Sequence, residues 1–129
     1  MPAPNNLCSA FAHILGGTPK FQDRVCSVAI SRKDIRVTIE GIPTKIPLGT
    51  SFSFQLLPGT DMTLNLGDVI LLQQETSEAV RFLYGQGITV SALHNHWLQD
   101  EPHLMYAHVQ AVMEPLHFAR AIAEVMKPA

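Results

Sequence analysis

Cysteine is scarce in this chain, and the way it is placed excludes several kinds of site. The 129 residues include two cysteines, Cys8 and Cys26, which form no CxxC pair. Neither of them belongs to a recognisable Cys/His nucleophile pattern. We therefore predict that both are small buried hydrophobic side chains with inert thiols.

Charge is also sparse, and neither sign predominates. Charged residues make up 16% of the chain, and the formal net charge is −2. The nine lysines and arginines are scattered and form no basic stripe of the kind that binds a phosphate backbone. The sequence therefore predicts no nucleic-acid partner.

Long hydrophobic runs and the common catalytic motifs are missing as well. No window approaches the roughly 20 apolar residues of a membrane span, and residues 1–6 lack the basic and apolar parts of a secretory signal. We therefore expect no membrane partner and a cytoplasmic location. The patterns GxSxG, GxxxxGKS/T and GxGxxG do not occur, so nothing indicates a serine nucleophile elbow, a P-loop or a dinucleotide site.

What the chain does contain is the pattern of a folded α+β domain. Its length and its 47% hydrophobic content suit one real core, so residues 1–129 are expected to form a single domain. Apolar residues recur at helical spacing near both ends and over 76–84, and they alternate with period two elsewhere. This order of elements predicts a mainly antiparallel sheet with helices packed on one face.

The alternating runs divide into six predicted strands. The first two, Val25–Ser31 and Ile35–Glu40, are close enough in sequence to form a hairpin. The other four are predicted at residues 52–56, 62–72, 88–98 and 104–112. A β-bulge is expected at Gly67–Asp68, because glycine inside a strand pattern often marks one.

The last two strands bring three histidines together. Even-numbered residues of 88–98 share one face, so His94 and His96 lie about 6.5 Å apart along the strand. If the loop closes symmetrically, His94 pairs with His108 and His96 pairs with Tyr106. Three imidazoles at these spacings suit a divalent metal ion with an open fourth position. We predict a metal site of His94, His96 and His108, with zinc as the first choice and other divalent transition metals as alternatives.

Four further residues are candidates for binding a ligand. Tyr106 and Gln110 share the histidine face. Glu40 and Asp68 are acids beside glycines, and each could be a fourth metal ligand, an acceptor that orients an imidazole, or a general base. The alternative for both acids is an ordinary turn. A register slip of one residue would place His108 on the other face and remove the site.

Two stretches resemble a known family. Gly87–His96, which reads GITVSALHNH, and Met105–His108, which reads MYAH, are similar to the LppY/LpqO family of bacterial proteins of unknown function. The resemblance extends from about Phe21 to the end and includes Glu40–Gly41 and Gly67–Asp68–Val69. It implies a single LppY/LpqO-like domain whose three histidines stand at positions that the family fills with histidine. It implies no activity.

The chain also departs from that family. Its members are often exported or lipid-anchored, whereas Asn5–Cys8 makes a poor lipobox. They tend to have glycines after the last histidine, where this chain has Gln110–Val112. Many members carry the domain twice in tandem, while this chain has one copy.

Three functions therefore compete. The first is a metal-binding protein, with or without hydrolase- or lyase-type activity. The second is a small-molecule-binding module with His94, His96, Tyr106 and Gln110 as polar anchors. The third is a homodimeric interaction domain whose histidine face is covered by a second copy. A homodimer is expected because tandem relatives suggest paired domains and because that face is partly apolar. Its predicted apolar residues are Val90, Ala92, Leu98, Leu104 and Val112.

Overall fold

A six-stranded antiparallel sheet is the frame of the computed structural model, which describes residues 3–127. Its strands in spatial order are β1 (Thr18–Gln22), β2 (Val25–Ser31), β5 (Gly49–Leu56), β6 (Thr63–Leu72), β9 (Leu104–Met113) and β7 (Thr89–Asn95). A smaller sheet joins β4 (Ile42–Pro43), β3 (Thr38–Ile39) and β8 (Asp100–Glu101). The described helices are α1 (Pro4–Leu15), α2 (Thr76–Gly85) and α3 (Pro115–Val125). No helix within 3–127 is long and apolar enough to cross a membrane.

The three helices pack on one face of the large sheet and form the main core with it. Phe11 of α1 lies edge-on to Phe54 of β5, with ring centroids 4.9 Å apart, and stacks parallel to Phe118 of α3. Leu83 of α2 and Ala107 of β9 are fully buried in the same cluster. The predicted α+β fold, with a mainly antiparallel sheet and helices on one face, is therefore confirmed.

A covalent bond ties the first helix to the sheet. Cys8 of α1 and Cys26 of β2 form a disulfide, with their Cα atoms 5.5 Å apart. Both residues are buried, as predicted, but the prediction of two inert thiols is wrong. The spacing of 18 residues held no signal, because the two cysteines meet only when the helix folds back onto the strand.

The predicted pairing of Val25–Ser31 with Ile35–Glu40 is also wrong. β2 pairs with β1 and β5, and only Thr38–Ile39 of the second run forms a strand, in the smaller sheet. The alternation of Ile35 and Val37 has another cause. These residues cover the side of the large sheet that faces away from the helices, and pack there with Leu48, Ile70 and Leu104.

The β-bulge lies in a different strand from the one predicted. The pairing of β6 with β9 continues without a shift through Gly67 and Asp68. Gly67 is required for another reason, since the ring of its cross-strand partner Phe52 occupies the place of a Cβ atom. The bulge falls instead in β7, where the register shifts between Val90 and Ala92.

This bulge decides which residues of β7 face the helices. Val90 pairs with Val109 and packs against the main core, whereas Ala92 pairs with His108 on the opposite face. The prediction that Val90 lies on the histidine face is therefore wrong. An extra residue interrupts the alternation, so even positions before and after it point to opposite sides.

A buried arginine anchors the segment that covers the sheet. Arg32 is 5% exposed, and its Nη1 donates to the carbonyl of Ile70 at 2.9 Å and to Glu75 at 3.3 Å. Its Nη2 donates to Asp34 at 2.6 Å. This hydrogen bond from Arg32 lowers the pKa of the Asp34 carboxyl. The contacts hold the segment after β2 across the end of β6.

We expect Arg32→Ala to lower the free energy of unfolding by about 3 kcal/mol at pH 7, because it leaves the Ile70 carbonyl without its donor. The wild-type contribution of Asp34 is present above the unfolded pKa of about 4 and is lost as pH falls through the lower folded pKa. Urea unfolding at pH 7 and pH 3 measures both effects. The difference between wild type and variant should shrink at pH 3.

Arg120→Ala is the matched control. Arg120 is exposed, and its nearest contact with Glu114 is 3.9 Å long, so its loss should cost under about 1 kcal/mol. Equal losses in the two variants would contradict the anchoring role of Arg32.

Candidate functional site

The side of the large sheet away from the helices carries a row of polar groups on three adjacent strands. Asp68 of β6 pairs directly with His108 of β9. Across β9, His108 pairs with Ala92, and His94 pairs with Tyr106, so His94 is diagonal to His108. The predicted register is therefore displaced by two residues. A displacement by two leaves His94 and His108 on the same face.

Hydrogen-bonding distances link these groups into a chain. Nδ1 of His108 bonds to Oδ1 of Asp68. Nε2 of His108 lies 2.9 Å from Nε2 of His94. Nδ1 of His94 lies 2.9 Å from the backbone carbonyl oxygen of Asn95. Both ends of the histidine pair are thus held, and the two Nε2 atoms face each other.

The outer partners determine where the protons are. The carbonyl of Asn95 can only accept, and a carboxylate at Asp68 does the same, so this arrangement assigns the hydrogen to Nδ1 of each histidine. In a neutral imidazole the other nitrogen is then a bare acceptor. Two lone pairs facing each other at 2.9 Å repel unless a cation lies between them. The arrangement of His94 and His108 therefore calls for either an additional proton or a metal ion.

The ring of Tyr106 lies close to all three predicted histidines. Its centroid lies 5.8 Å from that of His94, 5.5 Å from that of His108 and 4.6 Å from that of His96. Burial raises the pKa of the Tyr106 phenol, and the Asp68 carboxylate acts in the same direction. The raised pKa favours the neutral phenol, and its ring lies beside the pair.

His96 does not join the other two histidines. Its ring stacks on Trp97 with centroids 4.4 Å apart, and its Nδ1 is buried without a hydrogen-bond partner. Burial lowers the pKa of His96, which favours the neutral imidazole. β7 ends at Asn95, three residues earlier than the predicted strand, but the backbone N–H of His96 still donates to the carbonyl of Leu104 at 2.9 Å, so stacking on Trp97 and not a change of face sets His96 apart.

Within the described range 3–127, no group of three or more His, Cys, Asp or Glu side chains is arranged to hold a metal ion. The structure brings His94 and His108 together and leaves His96 beside Tyr106 and Trp97. The three-histidine site therefore remains a prediction.

The other predicted site residues fall in two places. Gln110 and Asp68 help to line a cavity of about 320 Å³ beside His108, which also includes Ser51, Ser53 and Ser91. Glu40 instead lies in the tight turn between β3 and β4 with φ of 52°, followed by Gly41 with φ of 77°. Glu40 therefore takes the turn role that stood as its alternative.

A second Asp–His pair was not predicted from the sequence. The carboxylate of Asp100 accepts from Nδ1 of His103 at 2.6 Å and from the backbone N–H of Leu104 at 3.0 Å. Although burial opposes it, these hydrogen bonds lower the pKa of Asp100. Nε2 of His103 lies 2.8 Å from the side-chain oxygen of Asn95. This cluster fixes the loop after β7, and the only sequence signal for it was the Asp-x-x-His spacing.

Comparison with known proteins gives one match. The model of a family described as Domain of Unknown Function (DUF1259) matches residues 9–128. No curated protein and no solved structure matches the chain.

The proton positions can be tested directly in the metal-free protein. At alkaline pH, imidazole ¹⁵N–¹H correlation spectra should show the hydrogen on Nδ1 of both His94 and His108, because each Nδ1 has an acceptor-only partner. His117, on α3, serves as the comparison residue. A hydrogen on Nε2 of His108 at alkaline pH would contradict the assignment.

Proposed function

The chain belongs to the DUF1259 family of unknown function, and we propose that it binds a divalent metal ion between His94 and His108. The observation that carries this proposal is the 2.9 Å approach of two Nε2 atoms whose rings each hold an oxygen acceptor at Nδ1. A metal ion supplies the missing positive charge and uses both lone pairs. With nitrogen–metal bonds of about 2.0–2.1 Å, the two nitrogens need to separate by only a few tenths of an ångström.

The groups behind the histidines suit metal binding. A ligating histidine usually donates its second N–H to a carboxylate or a backbone carbonyl, which sets its tautomer and its orientation. Asp68 does this for His108, and the Asn95 carbonyl does it for His94. Zinc is the first choice because imidazole ligands suit it; copper, nickel and iron follow.

Two protein ligands leave open positions on the metal ion. A water bound there would have its pKa lowered towards about 7, which is the basis of hydrolase- or lyase-type chemistry. The side chains of His108 and Asp68 are 40% and 32% exposed, so solvent reaches the pair. The cavity beside His108, with its serine hydroxyls and Gln110, would then hold polar parts of a substrate. His96, the predicted third ligand, would have to leave Trp97 to take part.

Acid–base chemistry without a metal is the second candidate. Asp68, bonded to Nδ1 of His108, orients the ring so that its Nε2 can release and take back a proton that it shares with His94. In this case the cation between His94 and His108 is a proton, and the pair binds no zinc.

Zinc binding to untagged protein separates these two functions. We expect one zinc per chain, measured by competition with a chromophoric chelator. His94→Ala and His108→Ala should each weaken binding at least tenfold, since each removes one of two ligands. Asp68→Asn should weaken it by about 10–100-fold while keeping both imidazoles, because it removes the carboxylate that orients His108.

The matched control is His13→Ala, which removes an exposed histidine of α1. It should leave the zinc affinity unchanged. His96→Ala distinguishes the models, since a two-ligand site tolerates it and the three-histidine site does not. Unchanged zinc affinity in the His94→Ala/His108→Ala double variant, with the fold intact by circular dichroism, would refute the proposed site.

The homodimer and the closer placement in the LppY/LpqO family also remain proposals. Leu66 and Val112 are exposed on the histidine face and support a contact with a second copy there. The predicted apolar face is smaller than expected, because Leu104 is buried beneath the smaller sheet and Val90 lies in the main core.

We expect light scattering at micromolar concentration to give twice the mass of one chain, and Val112→Lys to give the mass of a monomer. A charge at this exposed position would be repelled from an apolar interface. A monomeric mass for the wild type would contradict the homodimer.

A further inference from the structure

An apolar groove next to His96 shares no lining residue with the cavity beside His108. Ile39, Ile42, Ile46, Leu48 and Trp97 are its large apolar lining residues, and His96 also lines it. We call this feature the isoleucine groove. Its volume of about 610 Å³ is within the range of small-molecule sites.

The large side chains of the groove are exposed to solvent. Ile46 is 75% exposed, Ile42 is 67% exposed and Trp97 is 43% exposed. Single exposed apolar residues are normal on a protein surface, but a cluster around one concavity indicates a binding site. Pro43 and Pro47 restrict the backbone of this wall, so the isoleucines cannot easily fold back into the core.

The groove also carries a single formal positive charge. Lys45 lines it, and no acidic side chain of the described residues does. Within residues 3–127 Lys45 forms no ion pair. The isoleucine groove, with Lys45 as its one cation, complements a molecule that has an apolar body and one anionic group.

We propose that the isoleucine groove binds a small amphiphilic carboxylate, with its apolar body between Ile42, Ile46 and Trp97 and its carboxylate at Lys45. A monovalent head group is favoured because one lysine provides the only formal charge. The site needs no metal and stands apart from the function proposed for His94 and His108.

Ligand binding in the isoleucine groove can be followed by intrinsic tryptophan fluorescence. Trp97 is the only tryptophan in the sequence, so its fluorescence reports the groove without a label. We expect a saturable blue shift when the full-length protein is titrated with hexanoate, octanoate or decanoate below their micelle concentrations. Affinity should rise about three- to fourfold for each added methylene, the gain expected for burying one CH₂ group.

Two variants separate the charge from the apolar contact. Lys45→Met should weaken decanoate binding about tenfold and leave the binding of neutral 1-decanol unchanged. Ile46→Lys should weaken both ligands, because it places a charge in the apolar wall. Tyr84→Lys is the control, since Tyr84 is 80% exposed on α2 and does not line the groove; it should change neither affinity.

Several results would overturn the proposal. They are the absence of a saturable change at millimolar ligand, affinities that do not depend on chain length, and equal effects of Lys45→Met on the acid and the alcohol. A dimer that Ile46→Lys dissociates would assign the groove to a second copy instead. Decanoate binding should survive in the His94→Ala/His108→Ala variant, so a failure of the zinc proposal can be told apart from a failure of this one.

Discussion

The register between β9 and its two neighbours is the constraint on which the candidate site depends. On one side it places Asp68 directly opposite His108, and on the other a bulge in β7 places Ala92 opposite His108. The bulge adds a single residue, Ser91, which reverses the side of the sheet that the following residues face. It lets Val90 face the helices while His94 faces away from them. In a strictly alternating strand these two even-numbered positions would share a side, and one of them would be misplaced.

The two faces of the large sheet differ in burial and in polarity. The helix face is buried, and the disulfide and the aromatic cluster of Phe11, Phe54 and Phe118 lie on it. The other face is covered at one end by the segment that Arg32 anchors over Ile70. The cover stops short of the histidine pair, so polar groups remain in contact with solvent beside a rigid support. Chemistry placed on strands in this way keeps its geometry better than chemistry placed on mobile loops.

The parts of the fold that could be predicted from the sequence are those with strong local periodicity. The alternation of residues 104–112 and the helical spacing over 76–84 and after Pro115 gave the correct elements. The shared face of His94 and His108 followed from alternation and from the shortness of the loop. The wrong register did not matter to that result, because the displacement was an even number of residues.

The features that could not be predicted depend on contacts between distant residues or on the end of a strand. The bulge in β7 has no local signature, since Ser91 is an ordinary strand residue. Asp68 and His108 are 40 residues apart in the sequence, so their contact could not be predicted. Asp68 was a candidate site residue only because it is an acid beside a glycine. His96 lies apart from His94 and His108 because its ring stacks on Trp97, a contact that alternation does not reveal. The smaller sheet was missed because each of its strands has two residues, too few for a period to appear.

The Cys8–Cys26 bond also says something about the surroundings that suit this protein. Disulfides persist in oxidising compartments, such as a periplasm or an extracellular space, and are rare where glutathione and thioredoxin keep thiols reduced. Reduction of this bond, which fastens α1 to β2 inside the main core, would leave the helix held by packing alone. The bond between Cys8 and Cys26 is thus a part of the core that an oxidising environment preserves.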